Sequence, residues 1–170
     1  MSQINQIQEE LRQIEGGRFQ TLANQYLYRR YSLNNIIELG SQCGTDKTTT
    51  GVPDMYSVGE NGHYLFAAYT TSNSDIRNKL LNDAKDCLDR SKTGINPQLI
   101  DRIILCHTYF RLSPLVLEEV RAIDPRIEII GPETIASDLD GKYPALAHTV
   151  LGVPLGKGSF IAQTASSSEA

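Results

Sequence analysis

The sequence predicts an α/β sandwich in which helices flank one central mixed sheet. Two amphipathic helical segments open the chain. Three short extended segments follow, joined by turn residues in the manner of a meander. A capped helix then leads into a strongly apolar strand, which is the signature of a parallel strand–helix–strand unit with a right-handed crossover.

Taken in order, Ser2 to Glu15 places Ile4, Ile7, Leu11 and Ile14 at spacings of three and four, leaving a Gln/Glu-rich outer face. Gly16-Gly17 is expected to break or pivot this helix, and a second runs from Arg18 to Tyr31 with Phe19, Leu22, Ala23, Tyr26 and Leu27 on one face. Asn34-Asn35 marks a turn before the short strand Ile36 to Leu39. Val52 to Val58 and His63 to Thr70 read as the arms of a hairpin closed at Glu60-Asn61-Gly62. The second arm is apolar on both faces, so it belongs in the middle of the sheet.

Ser74 or Asp75 caps the next helix, whose buried stripe is Ile76, Leu80, Ala84, Cys87 and Leu88; Lys79, Asp83 and Asp86 fall on a neighbouring face. Lys92 to Pro97 is a turn, and Ile100 to His107 a buried strand. Ser113-Pro114 starts a helix over Leu115 to Ile123, with Pro at the favourable first position and Asp124-Pro125 beyond its end. Arg126 to Ile130 is an edge strand; Thr134 to Leu139 and Tyr143 to Leu151 are closing helices. This divides the chain into an N-terminal helix at 1–17, one α/β domain at 18–157 and a polar tail at 158–170.

Composition narrows the function classes. A chain of 170 residues with 40% apolar and 21% charged residues can bury one good core, and no apolar run approaches the roughly 20 residues of a membrane helix. The polar start MSQINQIQEELRQIE is unlike a secretory signal, and Cys43, Cys87 and Cys106 are odd in number and widely spaced, so a reducing cytoplasm is expected. A net charge of -4 weighs against a stand-alone nucleic-acid-binding domain, whose affinity rests on neutralising phosphates.

Chemistry concentrates between Gly40 and Thr71. The loop Gly40 to Gly51 invites a P-loop reading at Gly44 and Lys47-Thr48, but three residues separate Gly40 from Gly44 where the Walker pattern has four, and no helix pattern follows. A loop that meets a substrate backbone through its hydroxyls and Lys47 is one reading; an ordinary surface loop is another. Cys106-His107 has no second Cys or His pair at zinc spacing, so His107 is expected to be structural. Asp54, near the start of the first hairpin strand, is suited to a hard divalent cation, which takes oxygen ligands.

Gly40, Gly44, Gly51, Pro53 and Asp54, followed by a hairpin and a helix, resemble the PD-(D/E)XK nuclease superfamily, in particular its Mrr-like restriction-endonuclease branch. In that branch the second hairpin strand carries Glu-x-Lys or Gln-x-Lys; this chain has Ala68-Tyr69-Thr70 there, so Ala68 marks the place of a missing carboxylate. The resemblance implies a restriction-endonuclease-like α/β/α sandwich and Mg²⁺- or Mn²⁺-dependent hydrolysis of DNA. Asp54 and Glu38 would be metal ligands, Lys79 the lysine migrated to the following helix, and Gln20, Lys47 and Thr70 substrate contacts. For Gln20, Glu38 and Lys79 a plain surface role is the alternative. The resemblance further implies an effector domain of a bacterial antiphage defence protein, fused to or assembled by an NTPase or sensor region and homo-oligomeric when active. A nuclease fold that lost catalysis and serves oligomerisation or recognition is the competing reading; a nucleotide-binding α/β domain, resting on the Gly40 to Gly51 loop alone, is the third.

Overall fold

The computed structural model describes residues 2–39, 52–71 and 74–155. Their strands are β1 (Ile37–Glu38), β2 (Met55–Val58), β3 (Tyr64–Thr70), β4 (Ile100–His107) and β5 (Ile127–Ile130), side by side in chain order. The β1–β2 and β2–β3 pairings are antiparallel, and the β3–β4 and β4–β5 pairings parallel. The helices are α1 (Gln3–Gln13), α2 (Gly16–Arg30), α3 (Ile76–Cys87), α4 (Arg90–Thr93), α5 (Pro114–Arg121), α6 (Pro132–Gly141) and α7 (Pro144–Leu151). This is a mixed α/β architecture consistent with an α/β/α sandwich.

Strand alternation builds one core on each face of the sheet. On β4, Ile104 and Cys106 join Met55 and Ala67 beneath Ile7 and Leu11 of α1, Phe19 and Leu22 of α2, Leu139 of α6 and Ala147 of α7. Ile103 and Leu105 point the other way, with Phe66 and Ala68 of β3, against Leu80 and Ala84 of α3 and Val120 of α5. The N-terminal helix α1 is therefore part of the first core, packed on α6.

Local chemistry sets the boundaries. Ser2 caps α1 by accepting from Asn5 N–H, and Ser113 caps α5 by accepting from Leu115 N–H. The break between α1 and α2 falls at Ile14 and Glu15, both extended, two residues earlier than the glycines suggest; Gly16 and Gly17 open the first turn of α2. The Lys92–Pro97 segment, expected as a turn, contains more structure. Asp89 caps the single-turn α4, Gly94 ends it at φ 76°, and a 3-10 turn over Pro97–Leu99 leads into β4. Helices α6 and α7 start earlier and later than expected, at Pro132 and Pro144, because proline is favourable at a first helical position.

Candidate functional site

β2 proper begins at Met55, so Asp54 stands just before it; yet its backbone is still gripped on both sides. Its carbonyl accepts from Leu39 N–H at 2.9 Å, and its N–H donates to Ala67 O at 2.9 Å. Past the start of β2, where the antiparallel ladder stops at Met55–Ala67, the Tyr69 N–H donates to Asp54 Oδ2 at 2.7 Å. The carboxylate is thus turned in toward β3. Burial pushes its pKa up, the Tyr69 N–H pulls it down, the Asp83 charge pushes it up and the Lys79 charge pulls it down.

Asp83 belongs to the buried side of α3. It falls on the stripe Ile76, Leu80, Ala84 and Cys87 and is 4% exposed. Lys79, one turn earlier, donates to Asp83 Oδ1 at 2.9 Å, and Thr70 Oγ1 makes a long contact of 3.5 Å to Oδ2. Burial is the largest influence on Asp83 as well and raises its pKa, opposed chiefly by Lys79. Asp54, Thr70, Lys79 and Asp83 therefore form one electrostatic group at the end of β3.

A second branch runs from Tyr69. Its hydroxyl donates to Asn24 Oδ1, and Asn24 Nδ2 donates to Glu38 Oε1 at 2.7 Å. Asn24 is 1% exposed, whereas Glu38 lies on the exposed β1. Burial, with the charges of Asp54 and Glu38 nearby, raises the Tyr69 phenol well above its ordinary value and keeps it a hydrogen-bond donor.

Of the residues singled out from sequence, Asp54, Thr70 and Lys79 come together. Glu38 is held on the Asn24 branch. Gln20 is half-buried on α2, and the α2 side chain that hydrogen-bonds into this network is Asn24, one turn further on. Ala68 is 2% exposed and packs with Leu80 and Ala84 of α3, so β3 offers no side-chain oxygen at that position. Lys47, with the whole Gly40–Gly51 loop, lies outside the described residues. Sequence reasoning did not single out Asn24 or Tyr69, and it placed Asp83 on a face beside the buried stripe, where the structure puts it on the stripe itself. For Asp83 a signal existed, since it sits three residues after Leu80 and four before Cys87 on an otherwise apolar stripe.

Among the described residues no three His, Cys, Asp or Glu side chains gather as a metal-binding group. The donors present fit a less demanding arrangement. Mg²⁺ is commonly held by one or two carboxylates with waters and substrate phosphate oxygens, and Asp54 and Asp83 are two desolvated carboxylates whose charged forms burial disfavours. A cation there would offset that cost.

No family model matches the chain, no curated protein matches it, and no solved structure matches its fold.

Proposed function

We propose that the protein is a metal-dependent phosphodiesterase of nuclease type acting on DNA, with the end of β3 as its site. The observation that carries this reading is the inward-turned Asp54 carboxylate, fixed by the Tyr69 N–H and sharing its electrostatic surroundings with Lys79 and Asp83. Asp54 and Asp83 would hold Mg²⁺ or Mn²⁺, which when bound supplies Lewis-acid polarisation of a phosphoryl oxygen and a more acidic water. Asp54 is pre-oriented by its backbone hydrogen bond. Lys79, released from its pairing with Asp83, would place positive charge where a phosphate acquires negative charge. The Thr70 hydroxyl can donate to a phosphate oxygen, and Asn24 and Tyr69 keep Glu38 and the strand end in place. A role as the effector domain of a bacterial defence protein, brought together by an NTPase or sensor region, belongs to the same proposal.

A specific observation favours a second reading, a nuclease fold without catalysis that serves oligomerisation or recognition: Ala68 is buried at the position where the resembled family has its second hairpin-strand carboxylate or amide. A plasmid-nicking assay with Mg²⁺ and Mn²⁺ separates the two. Activity in the protein, lost in Asp54→Asn, supports catalysis as the chain stands. Activity that appears only in Ala68→Glu and disappears in Ala68→Glu combined with Asp54→Asn supports a nuclease site with a substituted position. No nicking in any of these leaves the non-catalytic module.

A further inference from the structure

A polar cavity of about 320 Å³ opens beyond the ends of β4 and β5, between α5 and α6. Its polar lining is His107, Arg111, Arg121, Glu133 and Thr134, with Gly131 at its wall and aliphatic side chains completing it. His107 is paired across the parallel ladder with Thr70, so this cavity lies one strand over from the Asp54 site, and none of Asp54, Thr70, Lys79 or Asp83 lines it.

His107 is 2% exposed. Its Nδ1 accepts from Tyr109 N–H at 3.1 Å, which places the ring proton of the neutral imidazole on Nε2. Among the described residues Nε2 has no hydrogen-bond partner. It lies against Gly131, where a Cβ would come within 3.2 Å of it and 3.3 Å of Glu133 Oε1; the absence of that carbon leaves the space between ring and carboxylate open. No buried side-chain nitrogen or oxygen of the described residues lacks a partner, so the Nε2–H opens onto the cavity and can donate to an acceptor held there.

The surroundings state what acceptor suits it. Neither Arg111 nor Arg121 has a carboxylate within ion-pair distance among the described residues. Arg111 is held at φ 59° with its N–H donated to Glu133 Oε2 at 2.8 Å, so its position in the wall is fixed. The ten-residue α6 begins at Pro132, and its first free N–H groups and the positive end of its dipole face this end of the sheet. Two guanidinium groups against the single Glu133 carboxylate leave an excess of one positive charge.

We infer that this cavity binds a phosphate group, with the His107 Nε2–H, the two arginines and the start of α6 as donors. A tetrahedral oxyanion presents acceptors in several directions at once, as this set requires, and arginine suits phosphate through its fork of donors. Glu133 is the antagonistic element: it builds the loop through the Arg111 N–H while its charge keeps affinity modest.

The test uses the full chain and the side-chain ¹H–¹⁵N spectrum of its histidines, titrated with inorganic phosphate, with a 5′-phosphorylated thymidine dinucleotide and with its 5′-hydroxyl counterpart. The expected result is a saturable shift of His107 Nε2 while His63 and His148 stay in place. Arg121→Gln and Arg111→Gln, both exposed positions, should each weaken binding about tenfold, the loss of one charge-assisted hydrogen bond. Glu133→Gln should tighten it. Saturation by inorganic phosphate alone identifies free phosphate as the source, and preference for the phosphorylated dinucleotide identifies a terminal phosphate. Absence of a saturable His107 shift with every probe overturns the inference, as does a shift that survives unweakened when both arginines are replaced.

Discussion

The Tyr69 N–H and the Asp54 carboxylate, 2.7 Å apart, join β3 to the residue before β2 beyond the point where strand pairing ends. A side chain thus completes the sheet where the backbone no longer does, and the residue that does so is a desolvated acid. Its stability cost and its proposed capacity to hold a cation share one cause.

That cause has a sign. The Asp54 pKa is raised above 3.8 on folding, so the folded state binds more protons than the unfolded chain as pH rises from that value, and stability falls across the window up to the raised pKa. The deficit persists at neutral pH. Asp54→Asn, which keeps an acceptor for Tyr69 N–H, should therefore raise Tm at pH 7, with the gain shrinking below the ordinary carboxylate range. Mg²⁺ should raise the Tm of the unsubstituted protein and leave the Tm of Asp54→Asn unmoved. Thermal melts across pH, with and without Mg²⁺, check both; a gain of equal size at every pH refutes the electrostatic cause.

Lys79 and Asp83 should be coupled. Lys79→Met leaves the nearly buried Asp83 carboxylate without its cation and should cost about 1–2 kcal/mol, less than for a fully buried pair because the Lys79 side chain is 42% exposed. Adding Asp83→Asn to Lys79→Met should recover most of it. Urea unfolding of the two single variants and the double variant measures the coupling, and additive losses contradict it.

Removing the Tyr69 hydroxyl should expose the cost of the Asn24 branch. Tyr69→Phe leaves the buried Asn24 Oδ1 without its donor and should destabilise by about 1–2 kcal/mol. The β3 backbone bond to Asp54 survives the change, so the Mg²⁺ response of Tm should be retained. Loss of that response would place the Tyr69 ring, as well as its backbone, in the site.

His107 makes the opposite contribution to Asp54 in acid. Burial lowers its pKa from 6.5 to about 4, against the nearby Glu133 charge. Between those two values the unfolded state binds more protons, so this stability is complete above the upper value and is lost as pH falls toward the lower. Histidine NMR titration should find His107 neutral well below the pH at which an exposed histidine protonates. A midpoint at 6.5 would show the ring to be solvated.

Much of the fold was legible because it follows from local periodicity. The stripe Ile4, Ile7, Leu11 and Ile14 is α1, the two-faced apolar run of β3 is central, and the Ser113-Pro114 pair starts α5. Asp54 was recognisable because it stands at a hairpin start beside a proline. Lys79 was named only through the family resemblance, and its proximity to Asp54 required the docking of α3 on β3.

The amino-acid pattern by itself determined which segments are helices and strands, which of their faces are apolar, and the mixed α/β architecture that their order produces. Tertiary structure alone decided that Asp83 meets Thr70, that Asn24 rather than Gln20 reaches Tyr69, and that His107, Arg111 and Arg121 share a cavity. The physical reason is that periodicity reports how a segment turns its own side chains. Desolvation and charge pairing depend on what a different segment, many residues away, brings against them.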